Sequence, residues 1–217
     1  MLDYFSDCWK YLPSLLGGLK LTLIIAVVGI ALAIVLGILL CAFSISGIFV
    51  LEKIAGIYIT VVRGIPLMIL ALFMYFGVIK NSLDLLPSAI IILAINASAY
   101  MAEIFRAGIQ AIDFGQTEAA RSLGLSYFQA MYKIILPQAF KIMIPSLMNQ
   151  FISSLKDTAI LSAISVNELT MTAKVIIARN YNAFELYSYA AIIYLIVIAL
   201  LTYLSKRVER KLSYDKR

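Results

Sequence analysis

Long uncharged apolar stretches dominate the chain, and their lengths set the elements to expect. Leu21 to Leu51 contains no charged residue. A helix crossing a bilayer needs about 20 mostly apolar residues, so a first span is predicted over 19–43. A second is predicted over 54–79, interrupted by Arg63, where Gly64 and Pro66 mark a bend. A third follows over 85–109 and a last over 186–205. Between Ala139 and Asn167 the apolar pattern is broken by Pro145 and by the pair Lys156–Asp157. Its first part is predicted as a fourth span, 136–155, and its remainder as a re-entrant or irregular segment. The expectation is one all-α membrane domain over 1–217 with five transmembrane helices. Lipid leaves no other solution to a chain that is not a barrel, because each backbone polar group must be satisfied internally.

Composition supports this solvent. Of the 217 residues, 63% are hydrophobic and 14% charged, and mean hydropathy is +0.96. Soluble domains carry about 25% charged residues. Cys8 and Cys41 form neither a disulfide framework nor a zinc pattern, so no metal site is expected. Histidine is absent, which removes the Ser-His-Asp and Cys-His constellations and the commonest general base. Asp3 and Asp7 precede any lysine, and the apolar run that follows is too long for a leader's h-region, so no cleaved signal is expected.

The net charge of +6 reads as a membrane-edge effect rather than a nucleic-acid footprint. With five spans the termini lie on opposite sides. If the C-terminus is cytoplasmic, Lys10, Lys20, Lys80, Lys156, Lys174 and Arg179 lie outside or within the membrane, and the other twelve of the 18 basic residues lie at the inner face. That asymmetry predicts an outside N-terminus and a cytoplasmic C-terminus. The segment 111–137 then becomes a cytoplasmic loop.

This loop carries capping signals. Asp113 with Gln116 has capping-box spacing, and Ser126 with Gln129 repeats it. A short helix through Glu118, Ala119, Ala120 and Arg121 would end at Gly124 in a C′ position. Pro137 is expected to bend the chain before the fourth span. An interfacial helix would show Trp, Phe or Leu along one face. Small residues flanked by charges instead suit the approach of another protein.

The pattern Glu118-Ala119-Ala120, Gly124, Ile134 and Leu136-Pro137 resembles the EAA loop of ABC importer permeases. Arg63-Gly64-Ile65-Pro66-Leu67, Asn96 to Glu103 and Leu155-Lys156-Asp157-Thr158 are similar to motifs of the polar amino-acid branch, related to histidine, glutamine and arginine permeases. Ile65 departs from the Thr common in that branch. The resemblance implies a type I importer bundle in a prokaryotic inner membrane. It also implies a second permease subunit, in a homodimer or a heterodimer, two cytoplasmic ATPases docked on the EAA helices, and an extracytoplasmic solute-binding protein. The chain has no GxxxxGK[ST] loop, so it is expected to be no enzyme and to hold no cofactor, with ATP bound by the partner.

Polar groups within spans are expensive and usually face the bundle interior or a cavity. Asn96, Asn149 and Gln150 are read as substrate contacts, since an amide offers donors and acceptors together. Ser98 and Ser153 suit substrate contact and helix–helix hydrogen bonding equally, the latter worth about 0.6 kcal/mol. Asp157 suits a substrate ammonium, with a broken helix end taking the carboxylate, or else a turn or a pair with Lys156. Arg63, Glu103 and Arg106 are read as structural or gating ion pairs.

In members resembling basic-amino-acid permeases an acid stands beside the fourth-span Asn, whereas Gln150 stands here. The expected cargo is therefore a neutral polar amino acid, glutamine first, then cystine, then a basic one. Two other classes remain to be weighed. A stand-alone secondary transporter or channel would need an ion site or pore ring and an inverted repeat, and no repeat is visible. A membrane enzyme would need a nucleophile, base and orienting group in one place, and none are gathered.

Overall fold

The computed structural model describes residues 8–80 and 82–214. Asp3, Asp7, Lys216 and Arg217, used above for the leader and charge readings, lie outside the described residues, as does the Cys8 side chain. The described chain is helical with no strand. In chain order the elements are α1 (Cys8–Ser44), α2 (Phe49–Gly64), α3 (Leu67–Leu72) running into a π turn (Phe73–Ile79), and α4 (Leu85–Gln110). Then come α5 (Phe114–Ser122), α6 (Tyr127–Ala130), a second π turn (Met131–Ile135), α7 (Leu136–Asp157), a 3₁₀ turn (Thr158–Ile164), α8 (Leu169–Asn180) and α9 (Ala183–Tyr214).

Three stretches among the described residues are long and apolar enough to cross a membrane alone: Trp9–Ser44, Leu85–Gln110 and Ala183–Lys211. Two bent pairs complete five if each counts as one span. Phe49–Gly64 and Leu67–Ile79 meet at 106°, and Tyr127–Ile164 meets Leu169–Asn180 at 43°. The first bend falls where the sequence marked it. Pro66 is the N-cap of α3, and Ile65 before it is extended at φ −98, ψ 128, the region left to a residue preceding proline.

Several boundaries differ from expectation. α1 begins about three turns before residue 19 and contains Pro13 within the helix. α8 lies beyond the irregular segment predicted up to Asn167, where the sequence reading places no element. Pro137, expected to mark a bend, lies within continuous helix. The π turn before it pairs the Leu136 N–H with the Met131 carbonyl, so helix continues from Tyr127 through Pro137 and Pro145 to Ile164.

α1 and α4 form the spine. Ile25 packs with Ile92 and Leu93 in one buried cluster, and Ile30, Ala33 and Cys41 pack with Ala97 and Met101 in the next. The approach is close because Gly37 has no side chain: a Cβ there would lie 2.6 Å from the Met101 Cβ. At the other end of α1, Leu15 meets Leu169, Ala173 and Leu186. Thr22 is fully buried, and its hydroxyl accepts the Leu169 N–H at 3.2 Å. Val27, Val35, Leu39, Leu195 and Ile196 stay exposed on α1 and α9, as helices facing lipid require.

Candidate functional site

The break between α2 and α3 sits against α4 and α7, and there it encloses a cavity of about 440 Å³. Asn96 and Tyr100 come from α4, and Gln150, Ser153 and Asp157 from α7, while Arg63 to Leu67 form the remaining wall. The α7 residues are three and four apart, so they share one helical face. Asn96 is buried, and the Gln150 amide donates to the Ser154 hydroxyl at 3.1 Å. This amide-lined cavity therefore holds one carboxylate, one guanidinium, two amides and two hydroxyls.

Four of the six residues read as substrate contacts thus meet: Asn96, Gln150, Ser153 and Asp157. The other two lie off this cavity. Ser98 is fully buried, donates to the Ile95 carbonyl at 2.8 Å and is bonded to the Tyr58 hydroxyl at 2.8 Å. That is the helix–helix role left open for it. Asn149, a turn before Ser153 on α7, is exposed and does not line the cavity.

The ion pairs expected of Arg63, Glu103 and Arg106 are present. Arg106 clamps Glu103 through Nη2 at 2.7 Å and Nε at 3.1 Å. Arg63 Nη1 lies 3.5 Å from the same carboxylate, and its guanidinium is 5.2 Å from the centroid of the Tyr100 ring. These three residues line a second cavity of about 640 Å³ with Glu52, Thr60 and Ser44. Arg63, Gly64 and Tyr100 belong to both cavities and form the wall between them.

The 111–137 loop folds into a braced corner. The Asp113 carboxylate accepts the Gly115 N–H at 2.7 Å and caps α5, whereas Gln116 turns to Gln138 on α7, so the first predicted capping box is a simple cap. The second is complete: the Ser126 N–H donates to Gln129 Oε1 at 2.9 Å, and the Gln129 N–H to the Ser126 hydroxyl at 3.3 Å. Gly124 takes φ +83. Its N–H donates to the Arg121 carbonyl and the Leu125 N–H to the Ala120 carbonyl, a Schellman stop. Glu118, Ala119 and Arg121 are exposed, but Ala120 is buried against the rest of the corner. The exposed face also carries Phe114 and Leu123, so it is more apolar than the pattern of small and charged residues suggested.

Residues 33–214 match the family of binding-protein-dependent transport system inner membrane components. The chain belongs to this family. It is 37% identical over 213 residues to the glutamine transport system permease protein GlnP of Escherichia coli (strain K12), covering 96% of this chain and 97% of that one. It is 38% identical over 212 residues to the arginine transport system permease protein ArtQ of Bacillus subtilis (strain 168), with the same coverage. Among solved structures it is similar to the crystal structure of an amino acid ABC transporter with histidines, at a TM-score of 0.90 and 38% identity, covering 95% of this chain and 98% of that one.

The chain is thus an amino-acid ABC importer permease and a multi-pass inner-membrane protein. Permeases of this kind work with an ATPase and a binding protein, which replaces the readings as a lone transporter and as an enzyme. Two features of this permease escaped the sequence reading. Tyr100 sits inside the stretch Asn96 to Glu103, and its place follows only from the two cavities it lines. Glu168 is a second acid at the break after α7, beside Asp157. It is fully buried, caps α8 through the Thr170 and Met171 N–H groups, and faces away into Tyr194. Its position just before a helical apolar pattern was the available signal.

Proposed function

We propose that this permease forms half of a translocation pathway for a neutral polar amino acid, glutamine first, with cystine second and a basic amino acid third. The observation that carries this reading is the make-up of the amide-lined cavity. Asp157 is its one acid and matches an α-ammonium. A cationic side chain would need a further carboxylate, because desolvating an unpaired charge costs far more than one hydrogen bond returns. Gln150 and Asn96 instead offer a donor and an acceptor each, which suits the side-chain amide of glutamine. The named relatives include both a glutamine and an arginine permease at nearly equal identity, so the names do not choose between the classes.

In the same reading α5 is the docking element for the cytoplasmic ATPase, through Glu118, Ala119, Arg121 and the neighbouring Phe114 and Leu123. The exposed charges and the rigid Gly124 corner support that role, and the basic residues after Leu204 support a cytoplasmic C-terminus. The test is substrate-stimulated ATP hydrolysis by the assembled complex with its binding protein. Glutamine is expected to stimulate more than arginine or lysine, and the reverse order would refute the neutral-cargo reading.

A further inference from the structure

The amide-lined cavity contains one cation, Arg63, and the second cavity contains the groups that hold it. We propose that Arg63 is the receptor for the substrate's α-carboxylate, and that the bound carboxylate takes Arg63 from Glu103. This rests on the amino-acid reading of the cavity and adds the group that recognises the second charge of the zwitterion.

The asymmetry around Glu103 makes the exchange favourable. Arg106 already satisfies both carboxylate oxygens, at 3.1 and 2.7 Å. Arg63 approaches one of them at 3.5 Å and makes no comparable pair of bonds. Withdrawing Arg63 therefore leaves Glu103 with its clamp intact, and no charge is stranded. Two guanidinium groups share one carboxylate, so this cluster carries one surplus positive charge beside Asp157's cavity. The other acid of the second cavity, Glu52, is on the next-but-two turn of α2 and accepts the Gly47 N–H at 3.1 Å. A zwitterion between Asp157 and Arg63 brings no net charge and matches both ends. Carboxylate–guanidinium bonds also have the planar geometry that a single 3.5 Å contact leaves unused. The Tyr100 ring, 5.2 Å from the guanidinium, gives Arg63 a surface along which it stays supported when Glu103 is released.

The exchange predicts opposite effects for the two members of the pair. Direct binding is measured on the detergent-purified permease–ATPase complex without binding protein, comparing L-glutamine with its α-amide, which lacks the carboxylate charge. Wild type is expected to prefer the free acid. Arg63→Gln should weaken the acid by about ten- to a hundredfold, leave the α-amide little changed and so level the two ligands. Glu103→Gln should tighten the acid and leave the α-amide unchanged, because the competitor for Arg63 is gone. Equal weakening of both ligands by Arg63→Gln, or weakening of the acid by Glu103→Gln, would overturn the proposal while leaving the cavity's cargo class standing. If wild type binds arginine in preference to glutamine, the neutral-cargo reading fails, and arginine with its α-amide then carries the same test of Arg63.

Discussion

The Glu168 carboxylate accepts the Tyr194 hydroxyl at 2.9 Å, which fastens the start of α8 to the middle of α9. The same carboxylate accepts the Met171 N–H at 2.7 Å and the Thr170 N–H at 2.8 Å. Its removal uncaps a helix and leaves the Tyr194 hydroxyl with the longer 3.4 Å contact to the Thr170 hydroxyl. Glu168→Ala should destabilise the protein by about 1–3 kcal/mol, combining a lost cap with the loss of the shorter hydrogen bond of the Tyr194 hydroxyl. Glu168→Gln, which keeps an acceptor oxygen, should cost less. Thermal unfolding in detergent checks the order; an Ala variant that melts with the wild type would contradict it.

How much of this was legible depends on whether the controlling interaction is local. The spans, the Pro66 bend, the Ser126–Gln129 box and the Gly124 stop all follow from residues within a few positions of each other. The partners of Glu168 and Ser98 do not, since Tyr194 and Tyr58 lie tens of residues away. Asn149 and Gln150 look alike in sequence, and only the helical phase fixed by packing separates the exposed amide from the one in the cavity. The continuous helix through Pro137 was hidden for another reason: a π turn has no clear sequence signature.

Close approach of α1 to α4 depends on Gly37. A Cβ there meets the Met101 Cβ at 2.6 Å and the Ala102 backbone nitrogen at 3.2 Å, neither of which is a flexible tip. Gly37→Val should therefore force the helices apart and destabilise by about 1–3 kcal/mol. Val at Gly56, where nothing lies within 4 Å of the added Cβ, should have a much smaller effect in the same melt.

The α5 corner should be separable from folding. Gly124 holds φ +83 with open space around it, so a β-branched residue meets backbone strain rather than a clash. Gly124→Val and Glu118→Lys should reduce ATP-dependent uptake by at least about tenfold while the chain still inserts and pairs with its partner permease. Uptake at the wild-type rate in either variant would rule out α5 as the docking element.

Orientation has its own check. A reporter fused after Arg217 should be active only in the cytoplasm, and one inserted near Ser82 only outside. The opposite pattern would put α5 where no ATPase reaches it.

Gln150→Glu tests the central claim most directly, because it adds the one charge the cavity lacks for a cationic cargo. The measurement is direct binding of glutamine, arginine and lysine to the permease–ATPase complex without binding protein, so that the permease's own selectivity is read. Wild type should prefer glutamine, and Gln150→Glu should turn the preference towards arginine and lysine by about tenfold or more. An unchanged order of preference in Gln150→Glu, or a Gln150→Ala variant with wild-type affinity and selectivity, would contradict the account.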